Sequence, residues 1–309
     1  MKKSKKCYFH RICFLAFLLF LRSNSEPSKI ECFYNWVPST VAYHCIVRNQ
    51  TVVDDDQQKF VITGNHWLGN INTTVTAIEI QNTANIPFII AELFSQFENA
   101  FRMLVMPSGL TRIQSNAFRN AQNLRILTIE GNPLQVIQSD AFVGADSLTT
   151  LEIRDSALMR LHSTSFRGLV NLRNLAVQNS LIRRFPANIF YTLKNLESIN
   201  LSDNQIDLID GELFVENRNL REINLMRNQI LEIGTAVIDG LDDLEIFNII
   251  RNRCANDIWF SSESNSLQQV IRKGLTTCFE NFESLKSFRV EIRGKAKISD
   301  DYGNEILSI

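Results

Sequence analysis

Residues 220–228 read Leu-Arg-Glu-Ile-Asn-Leu-Met-Arg-Asn, and this stretch decides the fold. Apolar side chains stand at its first, fourth and sixth places and an asparagine at its ninth. The same frame precedes it as Leu196-Ile199-Leu201-Asn204 and follows it as Leu244-Phe247-Ile249-Asn252, each at a step of 24. Toward the N-terminus it continues at the same step as Leu172-Leu175-Val177-Ser180, Leu148-Leu151-Ile153-Ser156 and Leu124-Leu127-Ile129-Asn132. Phe101-Leu104-Met106 extends it at a step of 23, and Val75-Ile78-Ile80 at a step of 26. A second column keeps the same register: Phe94, Phe118, Phe142, Phe166, Phe190 and Phe214, with Ile238 in the next place. Two apolar phases locked together over this many repeats are not a chance pattern.

This frame, L-x-x-L-x-L-x-x-N at a fixed period, resembles the leucine-rich repeat. The resemblance implies an α/β-type solenoid, a horseshoe of about seven or eight repeats over residues 75–252. Its parallel β-sheet would line the concave face, with irregular or short helical segments on the convex side. The physics agrees. A strand alternates inward apolar and outward polar side chains. One repeat cannot bury its apolar face alone, so neighbours stack and share a core. The ninth-place asparagine is expected to lie buried and to satisfy backbone groups of adjacent coils. Ser156 and Ser180, shorter at that place, predict looser turns bridged by water.

The N-terminus points to a compartment. Residues 1–25 carry Lys2, Lys3, Lys5 and Lys6, then the apolar run from Ile12 to Leu21, then Ser23 and Ser25 before Glu26. That is the pattern of a cleaved secretory signal peptide. The run is shorter than the roughly 20 residues needed to span a bilayer. Cleavage removes six basic residues and no acidic ones, taking the formal charge from −1 to −7. A mildly acidic chain argues against nucleic acid and anionic membrane as partners. Cleavage also removes Cys7 and Cys13 and leaves an even set: Cys32 and Cys45 before the repeats, Cys254 and Cys278 after them. Local pairing as Cys32–Cys45 and Cys254–Cys278 is expected in an oxidising compartment. Four thiols, or a zinc site, are the weaker alternatives, since no C-x-x-C or nearby histidine pair is present.

A solenoid exposes its core at both ends and needs caps. Residues 26–74, with Trp36, Tyr43, Phe60 and Trp67, read as the N-terminal cap, and residues 253–279, with Trp259 and Phe260, as the C-terminal cap. The commonest extracellular leucine-rich repeat pattern has four cysteines in each cap; here each has two, a sparseness similar to that of secreted arthropod members. Residues 280–309 read as a tail in which Phe288-Val290-Ile292 alternates like one more strand. No second apolar run of membrane length appears, so a soluble secreted product is expected.

The candidate sites are surfaces. Three sequons make Asn49, Asn72 and Asn200 candidate glycan sites. Asn200 is the outward residue between Ile199 and Leu201, so a glycan there would cover the middle of the concave face. Asn224 and Asn248 continue its column; a hydrogen-bonded ladder across the strands is expected of the three, with a row of binding residues as the alternative. Further outward candidates for binding on the concave face are Arg125, Glu152, Arg154, Arg173, Arg221, Arg227 and Arg251. Both signs are interspersed along this face, which suits a soluble surface or a specific protein partner. There is no G-x-S-x-G, no H-E-x-x-H and no phosphate-binding glycine loop, so neither an enzyme nor a cofactor or metal site is expected. His66 beside Trp67 reads as packing and His162 as a surface residue. The first functional reading is a non-enzymatic secreted module that holds an extracellular protein, or a glycan, in immune recognition or matrix. The alternatives are a self-assembling matrix scaffold and the ectodomain-like fragment of a membrane receptor.

Overall fold

The structure is a computed structural model that describes residues 27–37, 42–53, 59–67, 69–261 and 266–295. The expected leader, residues 1–25, and the end of the tail, residues 296–309, lie outside them.

Twelve strands form one curved sheet. The N-terminal cap supplies β1 (Ser28–Val37), β2 (Ala42–Val47) and β3 (Phe60–Thr63). The array supplies β4 (Ala77–Ile80), β5 (Arg102–Val105), β7 (Ile126–Glu130), β9 (Thr150–Arg154), β11 (Asn174–Gln178), β12 (Ser198–Asn200), β14 (Glu222–Asn224) and β16 (Ile246–Asn248). The strand β17 (Ile258–Phe260) closes the C-terminal end. From β2 to β16 every pairing is parallel and in register by one repeat, for example Leu175 beside Leu151 and Ile199 beside Leu175. On the convex side, β6 (Arg112–Ile113), β8 (Val136–Ile137) and β10 (Arg160–Leu161) pair in one small sheet, and β13 (Leu208–Ile209) and β15 (Glu232–Ile233) in another. Turns fill the rest, with one five-residue helix, α1 (Glu92–Gln96).

The repeat frame explains this order. Its fourth and sixth residues point inward in each strand: Leu127, Leu151, Ile199, Ile223 and Phe247 are all fully buried. The phenylalanine column stacks along the core, with ring centroids 5.1 Å apart for Phe118–Phe142, 6.1 Å for Phe166–Phe190 and 5.9 Å for Phe190–Phe214. One part of the expected register is wrong. Met103 and Val105, not Leu104 and Met106, are buried in β5, and Met103 pairs with Leu127. The repeat therefore starts at Ala100, one full period before Leu124. The conspicuous Phe101 shifts the expected frame one place along, and a slip of one place in a strand exchanges its two faces.

The ninth-place residues tie coil to coil. Asn132 Oδ1 accepts from the backbone N–H of Ser108 and Leu110, while its Nδ2 donates to the carbonyls of Val105 and Met106. Asn204, Asn228 and Asn252 repeat the pattern. At the two serine places the hydroxyls of Ser156 and Ser180 bond each other at 2.8 Å, so a direct contact stands where a water bridge was expected.

Both ends are stapled. Cys32 bonds Cys45, and Cys254 bonds Cys278. Closing loops of 13 and 24 residues contributes about 3 kcal/mol each in the chain-entropy account. In the N-terminal cap, β2 runs parallel to β4 and extends the array's sheet, while β1 pairs antiparallel outside it. At the other end Trp259 of β17 packs on Phe247, and helix α2 (Leu267–Gly274) lies against it. Helix α3 (Thr276–Lys295) follows. It contains Phe288, Val290 and Ile292, so the strand expected there is a helix. Leu275, Cys278 and Phe279 meet the core at helical spacing, and residues 280–293 contain no glycine or proline to end the helix they start.

Among the described residues, no helix is long and apolar enough to cross a membrane.

Candidate functional site: the concave face

Each strand of the array presents its third and fifth residues to the concave side. The third-place column runs Arg102, Ile126, Thr150, Asn174, Ser198, Glu222, Ile246, and the fifth-place column Leu104, Thr128, Glu152, Ala176, Asn200, Asn224, Asn248. Three zones result. The N-terminal zone is apolar at Leu104 and Ile126. The middle, from Thr150 to Asn224, is polar apart from Ala176. The C-terminal zone turns apolar again: Ile246 faces out on β16, and the antiparallel β17 sets Phe260 beside Ile246 and Ile258 beside Asn248. Phe260 is 59% exposed. Ile250 and Met226, just past the strand ends, are half-buried. Sequence periodicity missed this zone, because β17 lies outside the repeat and reverses the chain.

Of the predicted arginines, Arg154 ends β9, Arg125, Arg173 and Arg221 stand just before their strands, and Arg227 and Arg251 lie in the turns after theirs; most are paired. Arg173 bonds Glu197 and Arg221 bonds Glu245, the latter at 3.0 Å, each pair one repeat apart. Arg227 meets Asp203 at 3.3 Å and Arg154 meets Glu152 at 2.9 Å. Exposed pairs of this kind contribute well under about 1 kcal/mol each. Their larger effect is to cancel the field of the face. Among the described residues, Arg125 and Arg251 are the predicted arginines without a carboxylate partner.

The asparagine column does not form the expected cross-strand ladder. Asn200 Oδ1 accepts from the backbone N–H of Ser202 at 3.0 Å, Asn224 from Met226 at 3.1 Å, and Asn248 from Ile250 at 3.1 Å. An asparagine bonds the backbone two places on more readily than it reaches a neighbouring strand. These local turns have a visible consequence: β12, β14 and β16 stop after three residues, whereas β7, β9 and β11 run for five.

The eighth place of the frame takes a left-handed backbone. It holds Gly131, Asp155, Asn179 and Asp203, then Arg227 at φ 54° and Arg251 at φ 61°. Asparagine, aspartate and glycine tolerate this conformation, and arginine does so at a cost. Arg251→Asn is therefore expected to raise stability by about 0.5–1 kcal/mol, read as a shifted urea midpoint with an unchanged slope.

A hollow of about 380 Å³ opens in the middle zone. Leu175 and Ala176 lie at its floor, Glu152 and Arg154 border it on one side, and Ser198, Asn200 and Glu222 on the other. It exists because the fifth place of β11 is an alanine. Of the other two sequons, Asn49 is exposed with a left-handed backbone at φ 55°. Asn72 opens a 3-10 turn, where His66 Nε2 meets its Oδ1 at 2.6 Å. His66 also stacks on Tyr34, ring centroids 3.9 Å apart. Burial, followed by the neighbouring Tyr43, pushes the Tyr34 hydroxyl up to about 12.

One carboxylate at the N-terminal edge of the face is perturbed. The hydrogen bond to His44 holds Glu79 below the usual carboxylate range, helped by Gln81 and opposed by burial. Because the folded form is the better acid, Glu79 adds stability above its unfolded pKa. That contribution is lost as pH falls through the lowered folded value. Glu79→Gln is expected to flatten the loss of stability between about pH 5 and pH 3, measured by urea unfolding across that range.

The comparisons bear on this architecture. A family model described as leucine rich repeat matches residues 122–182 and 170–230. The fold is a leucine-rich repeat solenoid. The structure of TLR13 in complex with ssRNA13 superimposes with a TM-score of 0.56 at 23% identity, covering 60% of this chain and 26% of that one. An internalin, InlF from Listeria monocytogenes str. 4b F2365, gives a TM-score of 0.47 at 16% identity, covering 63% of this chain and 53% of the internalin. The chain thus spans about a quarter of the first and about half of the second. No curated protein matches it.

Proposed function

We propose that the chain is an extracellular, non-enzymatic binding module that holds a protein partner against its concave face. The apolar C-terminal zone is the anchor. The observation that carries this reading is the exposed Phe260 with the half-buried Ile246, Ile250, Ile258 and Met226 around it, on a sheet that is otherwise polar or charge-paired at its centre. Apolar anchors ringed by polar residues are the usual energetic centre of a protein interface. Arg251, without a carboxylate partner among the described residues, adds a charge at the edge of the zone that a partner carboxylate can meet. The eight strands of the array, spaced about 4.8 Å, give a face roughly 35 Å long, enough for an interface of standard size. Paired arginines leave little net field to hold a phosphate backbone, which favours protein over nucleic acid. The two disulfides support the extracellular assignment, because such bonds persist in oxidising compartments. A secreted protein and a receptor ectodomain both satisfy this reading.

The test is an affinity capture from extracellular fluid with the chain from Glu26 as bait, beside a variant carrying Ile250→Asp and Phe260→Asp. A protein held by the parent and lost from the variant supports the reading. Equal capture by both moves binding away from this zone. An empty capture together with concentration-dependent size favours the self-assembling scaffold. Fusion of residues 1–25 to a reporter checks export independently.

A further inference from the structure

We propose that Asn200 carries an N-linked glycan whose first N-acetylglucosamine is seated in the hollow floored by Ala176. This rests on the extracellular reading above and goes beyond it, because it assigns an occupant to the middle of the concave face. Four observations converge on it. The first is the sequon itself: Asn200-Leu201-Ser202 is the one that places its asparagine on the sheet face. The Asn200 carboxamide is held by its Oδ1 on the Ser202 N–H, which fixes the side chain. Its Nδ2, the atom that takes the sugar, has no hydrogen-bond partner among the described residues.

Room is the second point. The fifth-place neighbours of Asn200 are Ala176 on β11 and Asn224 on β14, both short. Directly beside Asn200, at the fifth place of each adjacent strand, a linked sugar therefore meets only a short side chain. The hollow beside it, about 380 Å³, takes a hexosamine ring.

Lining is the third. Thr150, Asn174, Gln178 and Ser198 offer neutral donors and acceptors, and Glu152 and Glu222 offer carboxylates for sugar hydroxyls. Few apolar atoms compete with them, so the hollow suits a hydroxyl-rich ring better than an apolar side chain. The fourth point is an orphan. Arg154 borders the hollow, and its Nε–H is buried with no acceptor among the described residues. A buried donor left without a partner is destabilising, so supplying an acceptor favours the seated sugar.

The consequence is a divided face. The glycan fills the polar middle, and protein contact is confined to the apolar zone between Asn224 and Phe260. Asn224 and Asn248 repeat the local turn of Asn200 but lie in no sequon, so the sugar has one place on the sheet.

The experiment uses the chain from Glu26 exported from eukaryotic cells behind a foreign secretory leader. Glycopeptide mass spectrometry reads occupancy at Asn200. Peptide N-glycanase then reads accessibility in the folded protein. Occupancy at Asn200, with release at least tenfold slower from the parent than from Ala176→Leu, which fills the hollow, is the expected result. Arg154→Ala, which leaves the floor intact, provides a second comparison if the leucine variant fails to fold, and it too should speed release. An unoccupied Asn200, or equal release from parent and variants, overturns the proposal. The two readings fail differently: residues 1–25 that export no reporter remove the compartment, whereas an empty Asn200 behind a foreign leader removes the seated glycan.

Discussion

Phe166→Ala is expected to lower the unfolding free energy by about 3–5 kcal/mol, the usual cost of truncating a buried phenylalanine. Phe166 is 1% exposed and lies between Phe142 and Phe190, with ring centroids 6.1 Å away on each side. Its ring is thus shared by two repeat interfaces. Solenoid stability is close to a sum of repeat and nearest-neighbour terms, so the loss falls on both interfaces at once. Two readouts follow. The urea midpoint should fall, and the slope should fall too if the array now opens in two parts. Phe166→Ile is the informative control. Ile238 already holds the corresponding place three repeats on, fully buried, so the column accepts an aliphatic side chain. The isoleucine variant should recover most of the loss. If alanine and isoleucine are equally near-neutral, the column is not the core of the array.

The sequence shows this core because its signal is periodic. From Leu124 to Asn252 the repeat never changes length, and the buried residues fall where the frame puts them. The frame slips only at residues 101–106. The preceding repeat, which runs from Val75 up to Ala100, is longer than the others by a single residue, and Phe101 is a better apolar match than the buried Ala100. Length variation plus a conspicuous neighbour is enough to misplace a strand by one place.

The concave face was less legible, for two reasons. Side-chain to backbone bonding overrode strand geometry at Asn200, Asn224 and Asn248, and periodicity carries no trace of that choice. The apolar C-terminal zone depends on β17, an antiparallel strand from the cap, which brings Ile258 and Phe260 beside residues ten or more positions away. The ion pairs, by contrast, follow the period, although their arginines read in the sequence as binding candidates and not as paired residues. Arg173 with Glu197, and Arg221 with Glu245, stand one period apart at the same place of the frame, so opposite charges had to meet across adjacent coils. That pairing changes the mutational strategy. Reversing Arg173 or Arg221 removes a partner from a glutamate as well as a charge from the face, whereas Phe260→Asp alters the exposed anchor alone.

Asn228→Ala should cost about 3 kcal/mol, although the residue touches nothing outside the array. Asn228 Oδ1 accepts from the Ile206 N–H at 3.0 Å, and its Nδ2 donates to the carbonyls of Leu201 at 2.9 Å and Leu225 at 3.1 Å. Two of these partners belong to the preceding coil. Alanine leaves an N–H and carbonyls buried without partners, and each such group costs about 1–3 kcal/mol. The cavity is small, so the loss comes from unmet polar groups more than from packing. Asn228→Asp separates these contributions. It keeps the shape and the acceptor, loses the donors and buries a charge, so it should be worse than alanine at pH 7 and improve as the carboxylate is protonated. Ser180 supplies the internal comparison. At the same place of the frame its hydroxyl bonds Ser156 and the Gln178 carbonyl, so Ser180→Ala removes fewer bonds and should cost nearer about 1 kcal/mol. A near-neutral Asn228→Ala, measured by urea unfolding, would mean that water enters the turn and takes over the carboxamide's bonds. The asparagines would then fix the spacing of the coils without stabilising it.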